Sequence, residues 1–209
     1  MSKKTVKTTT SHGKPRLILA STSRHRQALL RRLGLDFDVV APGIDEAPLP
    51  GERPVATAVR LAEAKARAVA LRHADALIIG SDQVADLAGE LVGKPRDRAH
   101  ALEQLKAMRG RTVLFHTAVA LLNARTGLCR NALVDVASTF RSLDDAALEA
   151  YLDREQPFDC AGSVKAEALG IALFTRIASD DPTALIGLPL IRLTDLLEAE
   201  GVHPLPAAE

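Results

Sequence analysis

The sequence predicts an α/β fold in which a mixed, twisted sheet is flanked by helices. Short apolar runs typical of buried strands alternate with segments in which leucines or alanines recur at helical spacing. Two later β-rich runs, 112–122 and 128–140, are joined by a short polar connection, as in an antiparallel hairpin. These observations indicate strands of both directions, with a ligand held by loops at the strand ends.

The elements of the first half follow from apolar runs and helix signals. The hydroxyl residues at 21–23 are candidate N-caps for one helix, and Pro54 favours the first turn of another. The predicted elements are a strand at 16–20, a helix closed by Gly34, a strand at 37–40, a loop at 41–53, a helix at 54–72 and a strand at 76–80.

The second half is predicted in the same way. The polar residues 81–83 are expected to follow the strand at 76–80 rather than to belong to it. The remaining elements are a hairpin around Gly89, a helix at 98–108, the two hairpin strands, a helix at 144–154 capped by Ser142, a strand at 170–177 and a helix at 189–200.

Composition argues against several classes of protein. A chain of 209 residues with 47% hydrophobic residues can bury a sizeable core, which excludes a disordered chain. Aromatic residues are only 3%, so no base-stacking platform for single-stranded nucleic acid is visible. There is neither a signal-peptide core nor a membrane-length apolar segment. We therefore expect no nucleic-acid partner and no membrane association.

The excess of positive charge is confined to the N-terminus. Residues 1–16 contain five cations and no acid, and the remaining 22 basic residues face 26 acidic ones. Any anion site must therefore be local rather than a basic field. We expect residues 1–15 to be a disordered basic tail and residues 16–206 to form one domain. Cys129 and Cys160 are in no metal-ligand spacing, which fits reduced thiols in a cytoplasmic protein.

The first helix carries a candidate phosphate site. At about 100° per residue, Arg26 lies on the apolar face between Leu29 and Leu30. Its guanidinium, the hydroxyls of Ser21 and Ser23 and the free N–H groups of the first turn could bind a phosphate. The alternative is a capped helix whose arginine extends to solvent.

Lys65 and two acidic positions extend this candidate site. Lys65 falls inside the apolar arc of the second helix, where it either reaches an anion or sits at the rim of the buried face. Asp45 and Glu46 lie in the proline-rich loop, and Asp82 follows a predicted strand. Such carboxylates suit Mg²⁺ or Mn²⁺ bound to substrate phosphates, although each alone is more often a turn residue or a helix cap.

The combination of charges favours phosphoryl chemistry. Arg26, Lys65 and Lys94 could hold phosphates while the acids serve a metal and a water molecule. The six histidines show no metal-ligand spacing, and a Walker loop and a nucleophile elbow are both absent. Because no histidine partner is near it in sequence, Cys160 is interpreted as a small core residue rather than an activated thiol.

Seven motifs, in order along the chain, resemble those of the Maf family. The first, at 17–26 with paired leucines at 29–30, resembles the family signature Ala-Ser-x-Ser-Pro-Arg-Arg. The others are Asp45-Glu46, Ala64-Lys65-Ala66, Gly80-Ser81-Asp82-Gln83-Val84, Gly93-Lys94-Pro95, Cys160-Ala161-Gly162-Ser163 and Gly187-Leu188-Pro189. Together they cover nearly the whole chain, from residue 16 to residue 204.

The resemblance implies a fold and a reaction. Maf proteins are similar to the inosine triphosphate pyrophosphatases, with two lobes about a cleft, and are often homodimers. They hydrolyse a nucleoside triphosphate to a monophosphate and diphosphate. By this resemblance Asp82 is the general base, and Glu46 with Asp82 holds a divalent cation, Mg²⁺ or Mn²⁺. The implied phosphate-binding set is Ser21, Arg26, Lys65 and Lys94.

Two strings resemble the 7-methyl-GTP pyrophosphatase branch of the family. Residues 81–83 and 160–167 match it, where the dTTP/UTP branch has Ala-Asp-Thr and a Lys-Ala-Gly-Gly-Tyr type of string. By this resemblance His25, Gln83 and Glu167 occupy the specificity positions. Glu167 is expected to favour a cationic 7-methylguanine ring, and Gln83 to supply a donor and an acceptor.

Two alternatives stay open at this level. Arg24-His25 replaces the usual Pro-Arg of the signature, so the same chemistry on dTTP or UTP is one alternative. The other is a nucleotide-binding regulator of septum formation, in which binding matters more than turnover.

Overall fold

A computed structural model of the chain describes residues 15–205. The predicted tail, residues 1–15, lies outside the described residues except for Pro15, and so does Pro206 at the end of the predicted domain. Among the described residues, none of the helices is both long and apolar enough to cross a membrane.

The described residues form a mixed sheet with helices packed against it, which confirms the predicted fold class. The strands are β1 (Leu17–Leu19), β2 (Asp38–Val39), β3 (Leu77–Leu87), β4 (Glu90–Val92), β5 (Thr112–Asn123), β6 (Cys129–Phe140) and β7 (Phe174–Ala178). The α-helices are α1 (Arg24–Arg31), α2 (Pro54–Ala70), α3 (Arg98–Met108), α4 (Asp145–Glu155) and α5 (Leu190–Glu198).

The sheet combines a parallel and an antiparallel part. Its strand order is β2-β1-β3-β5-β6-β7, and β4 pairs with β3. β1 runs parallel to both β2 and β3, whereas β3, β5, β6 and β7 pair antiparallel in turn. The hairpin of β5 and β6 is therefore as predicted, and the long strand β3 belongs to both parts of the sheet.

Separate apolar cores lie along the sheet. One packs α1 and α5 against β1 and the start of β3, with Leu29 and Leu193 fully buried. Another packs α3 and α4 against the end of β3, with Leu105 and Leu152 fully buried. Since strand residues alternate between faces, Ile78 points the other way, into a core shared with α2. The middle of β3, between these cores, is left for polar residues.

Three local predictions were wrong. Residues 81–83 do not follow a strand but lie inside β3, because they pair with residues 117–119 of β5. The N-cap of α4 is Asp144, whose side chain accepts a hydrogen bond from the N–H of Ala147, and not Ser142. The predicted strand at 170–177 begins only at Phe174, after a short 3-10 helix at Leu169–Leu173.

Candidate active site

One cleft of about 940 Å³ contains every residue that the family resemblance assigned to the site. It is lined by Ser21, His25, Arg26, Glu46, Lys65, Asp82, Gln83, Lys94 and Glu167. A second cavity, of about 110 Å³ beside Ile171 and Ile177, is small and apolar and contains none of them. The larger cleft is therefore the candidate active site, and it has the size of a small-molecule site.

Lys65 lies at the centre of the charged part of the cleft. Its Nζ is 2.7 Å from Oδ1 of Asp82 and 3.0 Å from Oε1 of Glu46. Lys65 is only 3% exposed, so its ammonium is held inside the cleft and not at the rim of the helix. A buried charge requires such partners, because an unpaired one would cost several kcal/mol. The contact also brings two carboxylates to one cation.

The close approach of α2 to β3 explains this contact. A Cβ atom on Gly80 would lie 2.0 Å from the carbonyl oxygen of Ala62, a distance that no side chain could tolerate. Around this point the helix face that meets the strand carries alanines, including Ala58 and Ala66, which are fully buried. The two backbones therefore pack directly against each other, which places Lys65 within reach of Asp82.

Glu46 projects from the loop between β2 and α2. Burial alone would raise the pKa of Glu46, but Lys65, with Lys94 and Arg26 farther away, holds the pKa below its usual value. Glu46 is therefore ionised at neutral pH. Its neighbour Asp45 accepts a hydrogen bond from the N–H of Ala47 at 2.9 Å, which is the role of a turn residue.

Arg26 is held along the cleft rather than extended into solvent. Its Nε donates to the carbonyl oxygen of Gly187 at 2.8 Å. Desolvation by burial lowers the pKa of the guanidinium, and the charges of Asp82 and Glu46 oppose that shift. The remaining guanidinium nitrogens could donate to an anion in the cleft.

The start of α1 fixes Ser21 in the wall of the same cleft. Ser23 is the N-cap of α1, and its hydroxyl accepts from the N–H of Arg26 at 3.4 Å. The N–H of Ser23 in turn donates to the hydroxyl oxygen of Ser21 at 3.2 Å. Because that bond uses a lone pair, the hydroxyl hydrogen of Ser21 can still be donated to a phosphate oxygen.

The predicted specificity residues His25 and Glu167 contact each other. Nδ1 of His25 is 2.7 Å from Oε1 of Glu167, and both side chains are part-exposed to the cleft. His25 lies in α1, and Glu167 follows the 3-10 turn Ala161–Ser163. The pair therefore connects the two sides of the cleft and leaves one oxygen of Glu167 for a ligand.

Gln83 was expected to offer a ligand both a donor and an acceptor, but its donor group is already occupied. Its Nε2 lies 3.0 Å from Oγ1 of Thr117, 2.9 Å from the carbonyl oxygen of Ala184 and 3.0 Å from that of Leu185. Three acceptors around one nitrogen fix the orientation of the amide and use its hydrogens. Gln83 can therefore offer a ligand only its oxygen, not a donor and an acceptor.

The sequence suggested that Cys160 is a core residue, but the structure places it in the wall of the cleft. Its sulfur donates to Oδ1 of Asp159 at 3.4 Å. Burial, together with the negative charge of Asp159, raises the pKa of Cys160 to about 12. At neutral pH it is a thiol, which agrees with the prediction that it is not an activated nucleophile.

The acidic residues fit the predicted divalent cation. The oxygens of Glu46 and Asp82 converge on one point, which Lys65 occupies in this structure. Oxygen donors of this kind bind Mg²⁺ or Mn²⁺ through one or two carboxylates, with substrate phosphates completing the coordination. The metal itself stays a prediction.

Comparison with known proteins gives the family. The model of the Maf family, described as Maf-like protein, matches residues 16–200. The chain belongs to the Maf family. The 7-methyl-GTP pyrophosphatase of Thiobacillus denitrificans is 58% identical over 191 residues, which cover 91% of this chain and 95% of that protein. The protein of the same name from Ralstonia nicotianae is 59% identical over 184 residues, covering 88% and 95%.

Several residues that shape this Maf cleft were not predicted. Arg60 donates to both carboxylate oxygens of Glu52, at 2.5 and 2.7 Å, and to the carbonyl oxygen of Ala47 at 3.1 Å. The hydrogen bond from Arg60, followed by that from the N–H of Leu49, lowers the pKa of Glu52 to about 2. This pair clamps the loop that carries Glu46 onto α2. Only the eight-residue spacing of two opposite charges could have suggested it.

Gly187 positions the arginine of the Maf signature. Besides accepting from Arg26, its carbonyl oxygen is 3.0 Å from the hydroxyl of Ser81. Its φ of +112° favours glycine, and a Cβ would lie 3.6 Å from Nε of Arg26. The Gly187-Leu188-Pro189 motif thus supports Arg26 and Ser81 in the cleft, a role that the sequence did not reveal.

Gln104 organises the opposite wall of the Maf cleft. Its Nε2 donates to the carbonyl oxygen of Gly93 at 3.1 Å, and its Oε1 accepts from the hydroxyl of Ser163 at 2.6 Å. The N–H of Gly162 also donates to Gly93, at 3.2 Å. These bonds tie the segment that carries Lys94 to the turn after Cys160. Nothing in the periodicity of α3 marks Gln104 for this position.

Proposed function

We propose that this Maf-family protein hydrolyses 7-methyl-GTP to 7-methyl-GMP and diphosphate, a nucleotide house-cleaning reaction. The names of its relatives, at 58% and 59% identity over most of the chain, support this substrate. The main structural support for the proposal is that two different clusters of polar side chains line the same cleft. Lys65, Asp82 and Glu46 form the first, and His25 with Glu167 forms the second.

The part of the cleft that contains the first cluster suits the triphosphate. Arg26 offers a guanidinium fork, Lys65 and Lys94 offer ammonium groups, and Ser21 offers a hydroxyl hydrogen. In the free protein Lys65 pairs with Asp82. A bound phosphate competes for the ammonium of Lys65, which loosens its hold on the carboxylate of Asp82. Substrate binding thereby prepares Asp82 to accept a proton.

The proposed reaction is an attack of water on the α phosphorus. Asp82 accepts a proton from the water molecule as the water oxygen bonds to the α phosphorus. The bond between the α phosphorus and the oxygen that bridges to the β phosphorus breaks at the same time. Diphosphate leaves, with its developing charge stabilised by Arg26, Lys65 and Lys94. A divalent cation on Glu46 and Asp82, when bound, would neutralise charge on the phosphates.

The second cluster suits the base. Oε1 of Glu167 contacts His25, and its other oxygen can accept from N1–H and the N2 amino group of guanine. The negative charge of Glu167 also favours 7-methylguanine, which carries a positive charge, over guanine. Gln83 adds its amide oxygen as a second, rigidly held acceptor.

The reaction is proposed for free nucleotide in the cytoplasm. Both cysteines of the described residues are free thiols, which is the usual state in a reducing compartment. A homodimer, which the resemblance implies, stays a prediction that sedimentation analysis would test.

A nucleotide panel tests the function. Diphosphate release would be measured from 7-methyl-GTP, GTP, dTTP, UTP and CTP, each with Mg²⁺, with Mn²⁺ and with chelator. We expect metal-dependent release, fastest from 7-methyl-GTP. Faster release from dTTP or UTP would keep the chemistry and overturn the substrate. No release from any nucleotide would favour a binding regulator instead.

A further inference from the structure

A group of metal-binding side chains lies in the cleft apart from Glu46 and Asp82. One ligand atom each of His25, Asp159 and Cys160 lies within 4.8 Å of the other two. His25 is in α1, and the other two residues precede the turn Ala161–Ser163, so the fold brings them together from distant parts of the chain. We propose that these three side chains bind Zn²⁺ or another thiophilic divalent cation.

The chemistry and spacing of the donors suit zinc. Imidazole nitrogen, thiolate sulfur and carboxylate oxygen are the types of side-chain donor that bind Zn²⁺ in proteins, with bonds of about 2.0–2.3 Å. In a tetrahedral site of that size, neighbouring donors are roughly 3.3–3.8 Å apart. Side-chain rotation of Asp159, which is exposed, and Cys160 can close the remaining distance. Coordination displaces the thiol proton, which passes to solvent water as the sulfur–metal bond forms.

Glu167 supplies the outer shell of such a site. Because its Oε1 lies 2.7 Å from Nδ1 of His25, it can accept the proton of that nitrogen and leave Nε2 as the metal ligand. A carboxylate behind a metal-bound histidine orients the ring and strengthens it as a ligand. Lys165 does not compete for these acids, since its Nζ donates to the carbonyl oxygen of Glu155 at 2.8 Å.

The two metal positions in the cleft differ in chemical type. Glu46 and Asp82 offer only oxygen, which suits Mg²⁺ or Mn²⁺, whereas Cys160 and His25 offer sulfur and nitrogen. The second position is therefore the one whose donors favour zinc over Mg²⁺ or Mn²⁺. Zinc bound there would occupy the place assigned above to the base and compete with nucleotide. This last consequence rests on the proposed function, but the binding itself does not.

Cobalt spectroscopy tests the site without nucleotide. The chelator-treated full-length protein would be titrated with Co²⁺, whose bond to a thiolate produces a charge-transfer absorption band. We expect the band in the wild type and in Cys129→Ser, the matched control at the other cysteine, but not in Cys160→Ser. Absence of the band in the wild type, or its persistence in Cys160→Ser, would overturn the proposal.

Zinc affinity and inhibition by zinc are a second test of the proposed site. Calorimetric titration with Zn²⁺ should show at least about tenfold weaker zinc binding in Cys160→Ser and Asp159→Asn than in the wild type. Zinc should raise KM for 7-methyl-GTP without lowering kcat. If the protein shows the cobalt band but hydrolyses no nucleotide, the proposed metal site is supported and the proposed function is wrong. Zinc affinity unchanged in both variants would overturn the site.

Discussion

Nζ of Lys65 lies 2.7 Å from Oδ1 of Asp82, with side chains only 4% and 8% exposed. Removing two such charges from water costs several kcal/mol per ion, and their attraction repays this only partly. A pair of apolar side chains would serve the stability of α2 and β3 at least as well. The position of the ion pair in the cleft therefore indicates a functional reason for it.

Asp82→Asn should nearly abolish turnover while the protein stays folded. Loss of a general base costs about 10²- to 10⁴-fold in rate. The amide oxygen can still accept from Lys65, and Glu46 keeps the ammonium paired. Diphosphate release and thermal unfolding would be measured beside Asp86→Asn, a control in the same strand outside the cleft. Full activity of Asp82→Asn would remove Asp82 from the mechanism.

Lys65→Met should tighten the binding of Mn²⁺ to the free protein and yet lower turnover. The ammonium holds both carboxylates that are assigned to the metal. A like charge about 4 Å away costs on the order of 1–4 kcal/mol, so affinity should rise roughly tenfold or more when it is removed. Calorimetric titration with Mn²⁺ measures this. Weaker Mn²⁺ binding in the variant would mean that Lys65 and the metal do not share these ligands.

Gly187→Ala should weaken substrate binding in a way that Gly89→Ala does not. Both glycines have positive φ, +112° and +94°, so each substitution should cost about 1–3 kcal/mol of stability. Only at Gly187 would the new methyl group contact Arg26, whereas Gly89 has open space. KM for the nucleotide should therefore rise in the first variant alone. Equal KM values in the two variants would mean that Gly187 does not position Arg26.

Glu167→Gln should reduce the preference for 7-methyl-GTP over GTP. A hydrogen bond to a charged group contributes about 1.5–3 kcal/mol, which corresponds to roughly a ten- to hundredfold change in relative kcat/KM. The ratio of kcat/KM for the two nucleotides would be compared with that of Asp153→Asn, whose carboxylate pairs with Arg98 on the surface. An unchanged ratio would reject Glu167 as a specificity residue.

Glu52→Gln should destabilise the protein in a pH-dependent manner. The pKa of Glu52 is lowered from 4.5 to about 2 in the folded protein. A carboxylate with a lowered pKa stabilises the folded state above its unfolded pKa, and this contribution is lost as the pH falls from about 4.5 towards 2. The melting temperature of the variant should lie below that of the wild type at pH 7.

The difference between these two melting temperatures should shrink below pH 4.5. Glu149→Gln, at an exposed position of α4, is the control and should follow the wild type throughout. A constant difference for Glu52→Gln across this range would mean that the contacts of Glu52 do not depend on its charge.

Much of the fold could be predicted from the sequence because its local signals agree with its packing. The helix at Arg98–Met108 was predicted with its observed ends, and Pro54 marked the start of α2. β3 was predicted too short because Ser81, Asp82 and Gln83 have no apolar signal. What keeps them in the strand is pairing with β5, a non-local contact.

The members of the candidate site could be predicted, but not their contacts. Motif resemblance selected residues that all line one cleft. The pairing of Lys65 with Asp82 depends on the backbone contact at Gly80, which periodicity does not reveal. Likewise, His25 and Cys160 are distant in sequence, so their proximity follows only from the way α1 faces the turn after α4.

The two ends of the cleft differ in charge. At one end Arg26, Lys65 and Lys94 outnumber Glu46 and Asp82, whereas at the other end Glu167 and Asp159 are matched by Arg24 and Lys165. A molecule with a cationic head and a polyanionic tail is aligned by such a field before it touches the walls. A ligand should therefore enter the cleft preferentially in one orientation. This preference should weaken at higher ionic strength, because salt shortens the range of the electrostatic field.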